Sequence, residues 1–292
     1  MYFWLWGPYY TLEGATALGD FFSKWEGGSL LLAIAEQPIK CPVAPLEFVF
    51  LTDSYFTRRG IRNKVSITLV TPSPDVFSKP KTAKLLGSLL KEKNIRVVTD
   101  FYIERVDNQN SKLVSYDGRE EPFDALTIVP VNMGSEAIAR SGLGNDLNYV
   151  PTNKHTLQSE MHPNIFVLGD ASNIPTSKAG SVVHFAGEVV FENLISAINN
   201  QPLQANFDGH ANCFIETGNG KAALLDFNYE TEPLEGSFPV PAIGPFSLLR
   251  ETRINHWGKL AFKYIYWHIM LKGRYMPIST NMSMSGKKRD IT

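Results

Sequence analysis

Apolar positions along this chain fall into two rhythms, and their alternation predicts a sheet interleaved with helices. Ser29-Leu-Leu-Leu-Ala-Ile-Ala35 is a continuous apolar run behind Gly27-Gly28, the pattern of a central parallel strand covered on both faces. Pro38, Pro42 and Pro45 punctuate the turn that follows. A helix is expected over residues 45–59, with Pro45 suited to its first turn and Gly60 to its stop. Residues 65–70 read as the next strand, 82–93 as the next helix and 96–99 as a further strand. Residues 102–107 and 112–116 read as an antiparallel pair about the turn Asp107-Asn-Gln-Asn110. Residues 125–129 return to the strand pattern. Strand–helix alternation with an inserted hairpin is α/β architecture.

Residues 132–159 are a Gly- and Asn-rich connection to a strand beginning at Ile165, and 181–199 a helix. Beyond Pro202 the pattern changes. Residues 213–217 and 222–228 flank Gly218-Asn219-Gly220, and Asn-Gly is the strongest short hairpin signal. Proline and glycine dominate residues 233–245, and an aromatic helix is expected over 254–271. These breaks divide the chain into residues 10–130, 131–200 and 201–292.

With 292 residues the chain is long enough for more than one core. A formal charge of −1 gives no reason to expect nucleic acid as a partner. Two cysteines exclude a disulfide scaffold, suggest a reducing compartment, and are too few for a structural zinc or iron–sulfur site; no metal is expected. The start, Met1-Tyr-Phe-Trp-Leu-Trp6, is apolar but short, lacks a basic flank, and is soon followed by Pro8, unlike a signal peptide or membrane span. No run reaches the roughly 18 uncharged apolar residues of a transmembrane helix, so a soluble or peripheral protein is expected.

The chemistry concentrates in a few places. Ile165-Phe-Val-Leu-Gly-Asp-Ala-Ser-Asn-Ile-Pro-Thr-Ser-Lys178 sets Asp170 at the carboxyl end of a strand, just before a helix. Strand ends open into ligand-binding crevices in α/β sheets, and helix amino termini attract anions. A plain strand, loop and cap would leave the same trace. Cys41 lies past the end of the residue-30 strand, beside Lys40 and ahead of a helix, a setting that favours the reactive thiolate over an inert buried thiol. Glu47, near the first turn, reads equally as a general base or as a carboxylate favouring the positive helix end. Cys213, in the late hairpin, reads as a core residue rather than a reactive one. In the last helix His256, Lys259 and Lys263 form a basic stripe, and Trp257, Phe262, Tyr266 and Trp267 suit contact with a membrane surface; a core helix is the competing reading.

The strand-Gly-Asp segment closely resembles the second FAD-contacting motif of two-dinucleotide flavoprotein reductases. Pro175-Thr-Ser-Lys-Ala-Gly180, Lys40-Cys-Pro-Val-Ala-Pro-Leu-Glu47 and Asp208-Gly-His-Ala-Asn-Cys-Phe-Ile-Glu-Thr-Gly218 are similar to segments of sulfide:quinone oxidoreductases and flavocytochrome c sulfide dehydrogenases. The resemblance runs over about residues 10–284. It implies a Rossmann-like, partial two-dinucleotide-binding-domain α/β flavoprotein with a carboxyl-terminal α+β membrane-interface region. Residues 10–130 would then be a second nucleotide-binding-like domain carrying the redox cysteine, and 131–200 the carboxyl-terminal part of the FAD-binding domain. It also implies that Cys41 carries sulfur against FAD, with Glu47 managing protons, and that Gly169, Asp170, Lys178, Ala179 and Gly180 contact the cofactor. His184, Phe185 and Phe246 fall on the quinone side. Sulfide and a membrane quinone would be the substrates, and the peripheral site would be the cytoplasmic face of the membrane. A second redox thiol follows the Gly-Asp pair in some relatives; here that position is Ala171.

No G-x-G-x-x-G occurs, although the resembling proteins open with such a βαβ unit, which needs at least ~30 residues. The chain is therefore expected to be a fragment, a product of a misplaced start, or one half of a split protein whose partner supplies the FAD segment; a homo-oligomer is also open. An NADH:quinone oxidoreductase is the alternative enzyme. Its Gly-rich turn would fall at Glu36-Gln-Pro-Ile-Lys-Cys41, where prolines remove donors and block approach to a phosphate. A non-catalytic fragment or subunit is the remaining alternative.

Overall fold

The computed structural model describes residues 9–240, 243–274 and 278–288; the Met1–Trp6 stretch and Tyr275, the last aromatic of the tail, lie outside them. The chain divides into two compact units, residues 1–132 with 216–219, and residues 133–215 with 220–292.

The first unit opens with a helix the apolar pattern does not announce, α1 (Leu12–Lys24), of which only Leu18 and Phe22 are buried. Two glycines and a sparse apolar face hide it from a periodicity reading. Its start is fixed locally: Thr11 Oγ1 accepts from Gly14 N at 3.0 Å. β1 (Gly28–Ile34) is the expected central strand, buried from Leu30 onward. α2 (Ala44–Arg58) follows with Pro45 in its first turn, then β2 (Val65–Val70), α3 (Pro80–Glu92) and β3 (Ile95–Val98). The predicted hairpin is β4 (Ile103–Asp107) and β5 (Lys112–Ser115), extended by β6 (Glu120–Pro122), whose Glu-Glu-Pro sequence carries no strand signal. β7 (Ala125–Val129) lies where expected. The four-stranded sheet runs β3-β2-β1-β7, all parallel, with Leu30 opposite Ile67 on one side and Ala125 on the other. Leu31, Ala33, Val70, Phe101, Leu113, Phe123 and Leu126 form one buried cluster uniting this sheet with the antiparallel β4-β5-β6.

In the second unit the short α4 (Glu136–Arg140) precedes the segment expected to form a strand at Ile165. That strand is not formed. Residues 165–168 are extended but paired along one edge alone: Ser159 N donates to Ile165 O at 2.8 Å and Val167 N to Leu157 O at 2.9 Å. Among the described residues the backbone groups of Phe166 and Leu168 on the other edge have no hydrogen-bond partner, so an apolar run with strand composition stops at one bridge, Gln158 to Phe166. A tight 3₁₀ turn, Gly169–Ala171, follows. α5 (Gly180–Ile198) buries Val182, Phe185, Ala186 and Val189, and exposes Phe191 (65%), Leu194, Ile195 and Ile198 (67%). By length and composition alone α5 is long and apolar enough to cross a membrane, with 28% of it buried; Glu188 and Glu192 interrupt its apolar run.

The remaining strands are β8 (Ala211–Gly218), β9 (Lys221–Phe227), β10 (Gly236–Phe238), β11 (Phe246–Leu248) and β12 (Glu251–Thr252). They form a sheet in the order β10-β11-β9-β12, with β8 also pairing β9. The last α-helix among the described residues is α6 (Arg253–His268), capped by Thr252 Oγ1 on Asn255 N at 3.0 Å. The mixed α/β architecture with a parallel sheet is the class expected from the pattern.

Candidate functional site

In the first unit the turn after β1 carries Cys41. It is pinned from several sides: Ile39 and Val43 are buried, Asn132 N donates to Pro38 O at 2.7 Å, and Ala44 N donates to Cys41 O at 3.0 Å as α2 begins. Cys41 itself adopts φ 57°, the left-handed region. A residue with a Cβ held there costs about 1–3 kcal/mol, which the surrounding contacts must offset. The thiol is half-buried beside the start of α2. Glu47 sits in the first turn of α2. Its Oε1 accepts from Glu216 N at 2.7 Å, so this carboxylate has a definite structural partner.

Two residues that the sequence reading passed over complete this corner. Tyr9 and Tyr10 stack at 4.6 Å, Tyr9 stacks on Phe48 of α2 at 4.9 Å, and Tyr10 Oη donates to Lys40 O at 3.0 Å. Burial first, then the hydrogen bond and charge of Tyr10 and the charges of Cys41 and Glu47, push the Tyr9 phenol well above its usual range. Burial chiefly raises Tyr10 as well. Adjacent aromatics just before a helix cap are the one signal that could have drawn attention to them.

The second unit holds the other predicted residues. Gly169 takes φ 59°, and a Cβ there would lie 3.0 Å from Val183. Ser172 Oγ donates to Gly169 O at 2.9 Å, closing the turn that carries Asp170. Lys178 Nζ donates to Ser172 O at 2.7 Å and stands 4.5 Å from the centre of the Tyr149 ring. Burial lowers the Lys178 pKa, and the nearby Asp170 carboxylate offsets part of that. Ala179 is the cap of α5 and contributes no side-chain hydrogen bond, so the donors of the first turn from Gly180 are left for another acceptor. Uncapped amides, a lysine and a carboxylate on one short loop suit a ligand with both phosphate and hydroxyl groups.

Phe185 is buried and lies flat on His210, 4.3 Å between centres and 5° between planes. His184, half-buried, is 3.8 Å from Glu188. Phe246 meets Phe214 edge-on at 5.5 Å. Beneath them lies a charge cluster that no motif announced. Asp226 accepts from His210 Nε2 at 2.8 Å and Asn212 Nδ2 at 3.1 Å, and pairs with Lys287 at 2.5 Å. His210 Nδ1 faces the carbonyls of Ser279 and Thr280 at 3.2 and 3.1 Å, and Thr280 Oγ1 donates to Glu188. His210, Asp226 and Lys287 are each about 98% buried at the side chain. Burial pushes Asp226 up, but His210 and Lys287 outweigh it and its pKa is lowered. A reading of short motifs misses this cluster because its members are 16 and 61 residues apart.

On α6, Asn255 and Gly258 face inward, and Lys259 is turned back to Phe214 O at 3.3 Å. Trp257 (64% exposed), Trp267 (56%) and Tyr266 are exposed. Phe262 is half-buried instead, and Ile254, Leu260, Tyr264 and Leu271 join the exposed set. The spacing 257, 260, 264, 267 makes one continuous stripe at helical period, and Leu271 lies in a short 3₁₀ turn beyond the helix. Cys213 is half-buried on β8, and neither cysteine is in a disulfide. Among the described residues no group of three or more His, Cys, Asp or Glu is placed to hold a metal.

No family model matches the chain. The mitochondrial sulfide:quinone oxidoreductase of Schizosaccharomyces pombe is 28% identical over 275 residues, 90% of this chain and 59% of that protein. The mouse mitochondrial sulfide:quinone oxidoreductase is 27% identical over 274 residues, 91% of this chain and 59% of that protein. The crystal structure of the Aquifex aeolicus sulfide:quinone oxidoreductase superposes with a TM-score of 0.71 at 22% identity, covering 90% of this chain and 62% of that one. The chain thus spans about three fifths of the length of the curated relatives it matches. Across nearly all of its own length the chain is similar to sulfide:quinone oxidoreductases.

Proposed function

We propose that this chain is the sulfide-oxidising, quinone-reducing portion of a flavoprotein. The reading is carried by the match to sulfide:quinone oxidoreductases over about nine tenths of the chain, joined to a cysteine held in a strained turn at a helix start. The Cys41 thiolate and a hydrosulfide ion form a sulfur–sulfur bond, releasing one proton and two electrons. Bound FAD would supply the two-electron acceptor for that pair and the donor to a quinone, which would also take up two protons. Glu47 is the nearest carboxylate on α2 to receive the proton set free at Cys41. Asp170 and Lys178, with Gly169, Ala179 and Gly180, are the groups offered to FAD, and the residues present fit it: a hydroxyl acceptor, a cation and uncapped helix amides. His184, Phe185 and Phe246 form the quinone side. The exposed aromatic stripe of α6 rests on the membrane from which a lipid-soluble quinone is drawn, on its cytoplasmic face.

The test is the visible spectrum of membrane-associated protein, expressed with any coding sequence upstream of Met1, before and after anaerobic sulfide. Flavin bands that bleach with sulfide and not with NADH are the expected outcome, with bleaching lost in Cys41→Ser. Bleaching by NADH would turn the reading towards a dehydrogenase. A protein without flavin would leave the chain a non-catalytic subunit.

A further inference from the structure

We infer that Tyr10 is a positioning residue for Cys41: its hydroxyl grips the Lys40 carbonyl and so holds the left-handed turn that presents the thiol at the start of α2. The inference rests on the proposed role of Cys41. Three observations meet here. The peptide whose oxygen Tyr10 binds, at 3.0 Å, is the one that joins Lys40 to Cys41. Cys41 stands at φ 57°, a conformation a residue with a Cβ leaves unless its neighbours hold it. On the far side, the Cys41 carbonyl is held by Ala44 N at 3.0 Å. The two peptide units flanking the Cys41 Cα are therefore both tied, one to the segment before α1 and the other to α2. Rotation about φ would have to break the Tyr10 bond.

The phenol suits this task. Its ring is stacked on Tyr9, which is itself stacked on Phe48 of α2, so the donor is referred to the same helix as the thiol. Burial raises its pKa, so it remains a donor through the range in which a thiol titrates. A phenol that donates to a carbonyl has no second proton to give. Tyr10 acts on Cys41 through the backbone, and the placing of Cys41 at the positive end of α2 is what it secures.

The test is peptide-resolved mass spectrometry of Cys41 alkylation by iodoacetamide, on the full chain across a pH series, with melting temperatures recorded in parallel. Tyr10→Phe keeps the ring stack and removes only the donor. It is expected to move the alkylation midpoint of Cys41 to higher pH, towards the free-thiol value, and to slow alkylation at neutral pH by about fivefold or more. Tyr9→Phe, which loses only a contact at 3.5 Å, is expected to stay within about twofold of the unaltered chain. A Tyr10→Phe midpoint equal to that of the unaltered chain overturns the inference, as does an equal shift in Tyr9→Phe, which would show that the bond to the Lys40 carbonyl is not what matters. Sulfide bleaching that survives Cys41→Ser would instead remove the proposed role of Cys41, on which this inference rests. An activated Cys41 indifferent to Tyr10→Phe removes this inference alone.

Discussion

Asp226 shows how much a single side chain is asked to hold. Its carboxylate receives His210, Asn212 and Lys287 where water does not reach. Removing one member of a buried ionic cluster strands the others, so Asp226→Asn is expected to cost about 3–5 kcal/mol, read from the urea midpoint. The pH dependence follows from the lowered pKa. A carboxylate that is more acidic folded than unfolded contributes fully above its unfolded value and loses that contribution as pH falls towards the folded one. The stability gap between the unaltered chain and Asp226→Asn should therefore be constant near neutrality and narrow once the pH drops below about 4. Gly218 gives a second residue-level test. At φ 82° an added Cβ would lie 2.8 Å from Phe50 O and 2.9 Å from the Ser54 Cβ. Gly218→Ala should destabilise by about 1–3 kcal/mol in the same assay.

At the scale of elements, legibility tracked how much of the signal was local. β1, β7, α2 and the Asn219-Gly220 hairpin were readable because a buried strand, a first-turn proline and a tight turn each leave their mark within a few residues. α1 was not, since its apolar residues are few, and β6 was not, because pairing with β5 rather than composition makes it a strand. The Ile165 run shows the reverse. Its composition is that of a strand, but a strand is completed by its neighbours, and composition does not say whether they are present. The same divide runs through the candidate site. Cys41 and Glu47 stood out by motif, and Asp170 and Lys178 by their place after an apolar run, whereas Tyr10 matters only through a 30-residue closure onto Lys40. α6 was legible as amphipathic but its facing was set by packing, which turned Phe262 partly inward and Leu260 and Tyr264 out. The double substitution Trp257→Ala with Trp267→Ala should lower sedimentation with anionic lipid vesicles by about tenfold and leave the melting temperature within a few degrees. A drop in melting temperature without a change in vesicle binding would make α6 a packing element instead.

For the molecule as a whole, a near-zero net charge and two cysteines direct attention away from nucleic acid and disulfide chemistry and towards a small number of placed groups. Those groups are divided by sequence between the two units, Cys41 and Glu47 in the first, Asp170 and Lys178 in the second. A two-electron reaction of the proposed kind requires both sets, so flavin content and sulfide reactivity are expected to be separable. Lys178→Ala should reduce bound flavin, measured by the ratio of visible to ultraviolet absorbance, while leaving Cys41 alkylation unchanged. The half-paired segment at residues 165–168 carries a consequence of another kind. Adjacent amides there face opposite surroundings, Val167 N bonded to Leu157 O and Phe166 and Leu168 open along the other edge. Deuterium should then enter at Phe166 and Leu168 and be held out at Val167, and any strand that docks along that edge would announce itself by erasing the alternation.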